Sequence, residues 1–392
     1  MVRAVAALLV VAAVFVGGVV VGGHAQATGL TRLSDPLRSL LLGESGQELS
    51  RQVLEVLEDD YYVPVDTTDL QRASVQAIVD TLKDPYTDYL DPDELEALRR
   101  RNDGAYFGVG LQVAERDSAI VVTGVFEGSP AARAKVKVGD RLVSVEGRPS
   151  KGRGLEAVVG DIRGPEGTSV RVGVATGTEP ARVITLERAR ITVPAVASRI
   201  ETVGGARVGY ARLSQFTRGS ADALRDAVTA LRADKATALV LDLRGDPGGL
   251  VTEAVGVAGV FLPDGSTVVV TEGLNSPRQV FRSDAAPVAG DLPLVVLVDR
   301  GSASASEIVA GALRDAERGR LVGERTFGKA LVQSTVPLRD GGALKLTTAR
   351  YLTPSGYDLA KRGLPPDVPV VDDLKTPVNE VLQRGLLLAA AG

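Results

Sequence analysis

The sequence predicts an α+β multidomain protein: an N-terminal helical segment, a small glycine-rich β-domain, and a larger α/β core. Three patterns carry this prediction. Apolar residues recur at helical spacing as far as Arg101. From Gly104 onward, short β-branched runs alternate with glycine turns. Beyond Pro194, strands alternate with helices, which implies an α/β layer with a largely parallel sheet. A chain of 392 residues has room for two or three such domains.

Composition removes several kinds of chemistry. There is no cysteine, so no disulfide framework, thiol nucleophile or Cys-ligated zinc is available. The only histidine is His24, which removes a Ser-His-Asp triad and any histidine metal cluster. No metal and no cofactor are expected. The formal net charge of -4, with acids and bases interspersed, provides no basic stripe for nucleic acid. A hydrolytic serine in this chain must use lysine or a carboxylate as its base.

Residues 4–23 are uninterrupted apolar residues and glycine after a single Arg3. A run of about 20 such residues can span a bilayer. Ala25-Gln26-Ala27 is an A-x-A pattern that a signal peptidase could cut, so residues 1–27 read as a membrane anchor or a signal peptide. Either reading places the body of the protein outside the cytoplasmic membrane.

Residues 28–102 read as a helical region. Leu49, Val53, Val56 and Leu57 form one stripe, and Leu70, Ala77, Ile78 and Leu82 a second. Such faces suit packing against the body of the protein or, as an alternative, a homodimer contact. Asp91-Pro92-Asp93-Glu94 is a helix start, with an Asp cap, Pro at the first position and Glu at the third.

The β-domain begins with Tyr106-Phe107-Gly108-Val109-Gly110-Leu111-Gln112-Val113, glycine-rich and then strand-like. Residues 120–125 give another strand, Ser129-Pro130-Ala131 a short helix, and residues 138–147 a turn, a strand and a turn. Leu155, Val158, Val159 and Ile162 share a helix face before the strand at residues 169–174. This order resembles a PDZ domain over about residues 103–190. The resemblance implies a peptide C-terminus held by the loop Phe107, Gly108, Val109, Gly110 and Leu111, with Leu155, Val158 and Val159 lining the groove. Val136 and Val138 depart from the usual Gly and Pro before Gly139-Asp140.

In the region 191–370 the strands are residues 207–213, 238–243, 267–270, 294–298 and 320–323. The helices are one capped by Ser220, one at residues 252–261, and one carrying Ile308, Val309, Ala312 and Leu313 on one face. Ser304 and Glu307 have capping-box spacing at the mouth of that last helix. Pro247-Gly248-Gly249 follows a strand and can bring backbone N–H groups close to a ligand. Residues 371–392 form a tail or helix, begun at Thr376-Pro377, whose small apolar end could also occupy a tail-binding groove.

An amide hydrolase without histidine needs an alcohol, a neutral base and donors for the oxyanion. Ser304 at a helix mouth offers the first and the Ala305 N–H the third. Lys329 can act as the base once burial lowers its pKa, and Phe327, Leu331 and Val332 beside it are apolar. Gln333 offers a neutral partner to orient it. Gly301-Ser302-Ala303-Ser304-Ala305-Ser306-Glu307-Ile308, Gly323-Glu324-Arg325-Thr326-Phe327-Gly328-Lys329 and Gln333 resemble the carboxy-terminal processing (tail-specific) protease family. Asp84-Pro85-Tyr86, Asp242-Leu243-Arg244 with Pro247-Gly248-Gly249, and Thr353-Pro354-Ser355-Gly356 extend the likeness over about residues 45–370.

The resemblance implies a crotonase/ClpP-like core and a serine endopeptidase that grips an apolar C-terminal tail and cuts nearby. It makes Ser304 the nucleophile, Lys329 the general base and Gln333 its orienting partner. Ala305 with Gly248 or Gly249 would form the oxyanion hole, and Asp315 is structural. Ala330 and the pair Gly245-Asp246 depart from the family pattern. Ser302 and Ser306 are rival nucleophiles. A silent PDZ scaffold and a crotonase-like acyl-CoA enzyme are the competing readings.

Overall fold

The computed structural model describes residues 45–61, 63, 66–116, 119–373 and 378–392. The apolar N-terminal run and the A-x-A pattern lie outside the described residues. No helix among those described is long and apolar enough to cross a membrane. The chain divides into two units, Met1–Asp84 and Pro85–Gly392.

In the first unit α1 (Ser45–Asp60) and α2 (Thr67–Asp80) form where their spacing predicts. The buried face of α2 is not the predicted one. Val79 is buried and Ile78 is 68% exposed, so Val75 and Val79, four residues apart, define the inner side. On α1, Leu49, Val53 and Val56 remain exposed.

The second unit opens with β1 (Asp88–Leu90), inside a stretch that the sequence pattern assigns to helix. Three residues show no period of their own; the segment becomes a strand by pairing with a distant one. Helix α3 (Pro92–Asn102) starts as its cap predicts. Asp91 accepts the Glu94 N–H at 2.9 Å, and Glu94 accepts the Asp91 N–H at 3.1 Å.

The β-domain runs through β2 (Ala105–Gly108), β3 (Leu111–Arg116), β4 (Ala119–Val125), α4 (Pro130–Arg133), β5 (Arg141–Val145) and β6 (Arg148–Pro149). It continues through α5 (Leu155–Ile162), β7 (Ser169–Ala175), β8 (Arg182–Glu187) and β9 (Ala189–Thr192). Strands β3-β4-β5-β7-β8 form one antiparallel sheet over Val122, Leu142, Val145, Val158 and Val172. Strands β2 and β9 pair with each other, Ala105 opposite Thr192, so the two ends of the domain leave side by side. An insert built this way has its own core and joins the rest through one short ribbon.

The core follows as β10 (Val196–Val203), β11 (Ala206–Leu213), α6 (Ser220–Ala233), β12 (Ala238–Asp242), α7 (Val251–Ala258), β13 (Thr267–Glu272) and β14 (Gln279–Arg282). Then come β15 (Leu294–Val298), α8 (Ala305–Asp315), β16 (Arg320–Gly323), β17 (Leu331–Pro337), β18 (Ala343–Leu352), β19 (Val368–Pro369) and α9 (Glu380–Ala391). One sheet has the order β10-β11-β12-β15-β16-β19, parallel from β11 to β19 with β10 antiparallel at its edge. Every residue of β12 and β15 is buried, as expected for strands covered on both faces.

The predicted single layer is incomplete. β13 leaves the parallel sheet for a second, antiparallel one of order β1-β18-β13-β14, with β17 on β18. Its valines suit either environment, and the choice is made by β18, far along the chain. Ser220 is not the cap of α6. Gly219 holds that position, and Glu253 of α7 accepts the Gly219 and Ala221 N–H groups at 3.0 and 2.9 Å.

The C-terminal residues form a packed helix. Val381, Leu386 and Ala389 of α9 bury themselves against Val240, Val295 and Leu297. A Cβ on Gly385 would come within 2.5 Å of Leu297 Cδ2, so glycine lets the helix lie close on the sheet. Its cap is Asn379, which accepts the Leu382 N–H at 2.9 Å, and residues 374–377 lie outside the described residues.

Candidate active site

The loops after β12, β15 and β16 meet at the carboxyl edge of the parallel sheet, where open α/β sheets gather their sites. The turn after β15 is built by Asp299, whose Oδ1 accepts the Gly245, Gly301 and Ser302 N–H groups at 2.9, 2.9 and 3.1 Å. Ser302 and Ser306 are fully buried and spend their hydroxyls on main-chain carbonyls, Leu243 at 2.8 Å and Asp246 at 2.9 Å. Ser304 is half-buried. Of the three serines it is the one with a reachable hydroxyl.

Ser304 has φ 55° and ψ -115°, in the left-handed half of backbone space. Such a conformation costs on the order of 1–3 kcal/mol in a non-glycine residue and persists only where surroundings impose it. The surroundings are visible. Glu307, fully buried on the first turn of α8, accepts the Ser304 N–H at 3.0 Å. The same carboxylate accepts the Thr326 hydroxyl at 2.5 Å, the Gly328 N–H at 2.7 Å and the Lys329 N–H at 2.9 Å. One buried anion therefore ties the serine turn to the lysine loop.

Lys329 lies between β16 and β17, and its carbonyl accepts the Tyr351 hydroxyl. Tyr351 is buried, and burial first, then the Glu307 charge, hold its phenol neutral well above the ordinary value. The Lys329 ammonium stands 4.8 Å from the centroid of the Tyr86 ring. Burial lowers the Lys329 pKa from its ordinary value, and the charge of Lys345 lowers it further. Phe327, expected to help desolvate the lysine, is 57% exposed and points away from that task. Among the described residues no hydrogen bond joins the Ser304 hydroxyl to the Lys329 amine.

Gln333 is not on the lysine either. A bulge between Val332 and Gln333 turns its amide, and Nε2 donates to the Leu331 carbonyl at 3.3 Å. The oxyanion candidates separate in the same way. The Gly248 N–H is held by Asp246 Oδ1 at 2.8 Å, whereas the Ala305 and Gly249 N–H groups have no acceptor among the described residues. A Cβ on Gly248 would come within 2.8 Å of Ala305 N and 2.9 Å of Ser304 Cβ, which brings this loop onto the serine.

Asp242 anchors the loop from below. Arg244 binds it through Nε at 2.9 Å and NH2 at 2.7 Å, and also donates to Asn379 at 2.8 Å. Asp315 accepts the Ser355 N–H at 2.9 Å, in keeping with a structural part.

In the β-domain a cavity of about 240 Å³ opens between β3 and α5. Gly108, Val109, Gly110, Leu111 and Val159 line it as expected, with Ile162 and Arg163 completing the helix side. Phe107, Leu155 and Val158 do not line it. Val158 is buried in the domain core, Leu155 packs against that core, and Phe107 lies under the Arg100 guanidinium at 5.2 Å. The groove face of α5 is therefore rotated toward Val159 and Ile162.

Comparison with known proteins agrees with this fold. Residues 207–370 match the model of peptidase family S41, and residues 121–176 match a PDZ domain. A CtpA-like serine protease of Staphylococcus aureus (strain COL) is 36% identical over 319 residues, 81% of this chain and 63% of that protein. The solved photosystem II D1 C-terminal processing protease is 31% identical with a TM-score of 0.52, covering 87% of this chain and 97% of that one. The chain belongs to peptidase family S41, among the C-terminal processing proteases.

This S41 chain spans 63% of the length of the curated relatives that it matches. A solved S41 protease from Bacteroides fragilis, 16% identical with a TM-score of 0.55, covers 86% of this chain and 96% of its own, and shares the fold. Sequence reasoning missed Glu307 and Tyr351 as parts of the site. The signal for Glu307 was its capping-box spacing, which says nothing of the lysine loop. Tyr351 gave no signal, because only the pairing of β17 with β18 brings it to Lys329.

Proposed function

We propose that the chain is a serine endopeptidase that takes an apolar protein C-terminus in its PDZ groove and cleaves near that tail with Ser304 and Lys329. The observation that carries the reading is the shared carboxylate oxygen, Glu307 Oε2, on the backbone N–H groups of both residues at 3.0 and 2.9 Å. In this reading the neutral Lys329 amine takes the hydroxyl proton as Ser304 Oγ attacks the scissile carbonyl. The Ala305 and Gly249 N–H groups receive the oxyanion. The resulting ammonium returns its proton to the departing amine, and water hydrolyses the acyl-serine by the same two transfers in reverse order. The dyad hydrogen bond is open in the structure and closes with substrate in place, as catalytic contacts often do. Gln333 would turn onto Lys329 in that closed state.

The groove supports the substrate class. Gly108, Gly110 and their neighbours present backbone to a carboxylate, while Val109, Leu111, Val159 and Ile162 give the last side chain an apolar seat. The N-terminal apolar run supports a body outside the cytoplasmic membrane, and the exposed stripe on α1 supports a homodimer.

The test is digestion of a protein with an unstructured apolar C-terminus, as free acid and as C-terminal amide. Wild type should cut the free acid, lose most activity on the amide, and lose all activity as Ser304→Ala or Lys329→Arg. Cleavage by Ser304→Ala at the wild-type rate would remove the nucleophile, and tight binding without cleavage by wild type would leave a scaffold.

A further inference from the structure

Asp246 is fully buried, and among the described residues its Oδ2 is a buried oxygen without a hydrogen-bond partner. Its other groups are all engaged at the catalytic turn. Oδ1 accepts the Gly248 N–H at 2.8 Å, and its carbonyl accepts the Ala303 N–H at 3.0 Å and the Ser306 hydroxyl at 2.9 Å. The residue thus clamps the glycine loop to the mouth of α8 through Gly248, which adjoins Gly249 and on which a Cβ would come within 2.8 Å of Ala305 N.

A buried carboxylate with one unsatisfied oxygen is a poor anion there. Burial pushes its pKa up to about 7, against the bond from Gly248, the nearby Ser306 hydroxyl and the charge of Arg212 on β11. The other charged groups nearby are committed elsewhere. Asp242 and Arg244 pair with each other, Asp299 accepts from Gly245, Gly301 and Ser302, and Glu307 faces the lysine loop. Ionised, Asp246 would set a negative charge behind the two N–H groups at which the reaction develops another. In low-dielectric surroundings that repulsion is felt strongly.

We propose that Asp246 is a positioning residue for the glycine loop and works as the neutral acid, so that its ionisation weakens the oxyanion site and sets an alkaline limit on catalysis. This rests on the endopeptidase reading above.

The test is kcat/KM against pH, from about pH 5 to about pH 9, for wild type, Asp246→Asn and Asp246→Ala on a free-acid protein tail. Asparagine keeps the acceptor for Gly248 and cannot ionise. Asp246→Asn should match wild type within about threefold on the acid side and exceed it about tenfold at the alkaline end. Asp246→Ala should lose about tenfold or more at every pH, since the Gly248 N–H is left without its acceptor. An alkaline decline in Asp246→Asn equal to that of wild type would overturn the proposal, as would an Asn variant no better than the Ala variant. Cleavage surviving in Ser304→Ala would instead condemn the endopeptidase reading.

Thermal unfolding gives a readout independent of activity. A carboxyl whose pKa is raised on folding is destabilising once ionised, so its penalty grows as pH rises from about 4 to about 7. The Tm of Asp246→Asn should overtake that of wild type across this window. A Tm difference that does not change with pH would count against a buried, titrating Asp246.

Discussion

Glu307 Oε2 accepts the backbone N–H of Lys329 at 2.9 Å, and Lys329 follows it by a whole strand and loop. With Ser304 on the same oxygen, a buried carboxylate whose own chemistry is spent on donors sets the spacing of the proposed nucleophile and base. Glu307→Gln replaces an acceptor oxygen with an amide that faces N–H groups. The variant should lose about 2–4 kcal/mol of stability in a urea titration. Its kcat should fall by about 100-fold, because the lysine loop drifts from the serine. Full activity in a folded Glu307→Gln would show that the tie is ornamental.

Strain and reactivity meet at Ser304. Glycine accepts its positive φ without penalty, so Ser304→Gly should be inactive yet about 1 kcal/mol more stable than wild type. Ser302→Ala and Ser306→Ala should behave in the opposite sense. Each loses a buried hydrogen bond, costing about 1–3 kcal/mol, and keeps cleavage. Loss of cleavage in a folded Ser302→Ala, with Ser304→Ala still active, would reassign the nucleophile.

The acid limb of the pH–rate profile should belong to Lys329, whose folded pKa lies below its ordinary value. Activity should then rise as pH rises through that folded pKa, since in the proposed mechanism the base is the neutral amine. Lys345→Gln removes a like charge and should move the limb to higher pH. The Tyr86 ring favours the charged form, so Tyr86→Leu should move the limb to lower pH while Tyr86→Phe leaves it in place. Limbs that coincide in all three variants would show that another group controls them.

Where a strand is buried on both faces, as at Leu294–Val298, its apolar run announces itself and the sequence locates it to the residue. The capping box at Asp91 is equally legible, because all its parts lie within one turn. β1 and the second sheet were not, since their partners lie far along the chain and the pairing rather than the pattern makes the strand. At the site, Ser304 and Lys329 stood out by motif and by the absence of histidine. The contacts of Glu307 and Tyr351, and a Gly249 N–H without an acceptor among the described residues, depend on distances that no spacing encodes.

The groove of the PDZ domain tests a finer limit, because Val158 and Val159 are neighbours that a sequence pattern cannot separate. In the structure Val158 is fully buried under the sheet and Val159 lines the cavity. Val158→Asp places a charge in an apolar core and should unfold the β-domain, seen as loss of its thermal transition. Val159→Asp should leave that transition in place and weaken capture of an apolar free-acid tail by about tenfold or more, read as a rise in KM with kcat largely kept. The kcat should survive because Ser304, Lys329 and Glu307 lie in the α/β core, outside the β-domain. Equal loss of the fold in both variants would mean that the two side chains share the core, and the groove would then have to be sought on another face of α5.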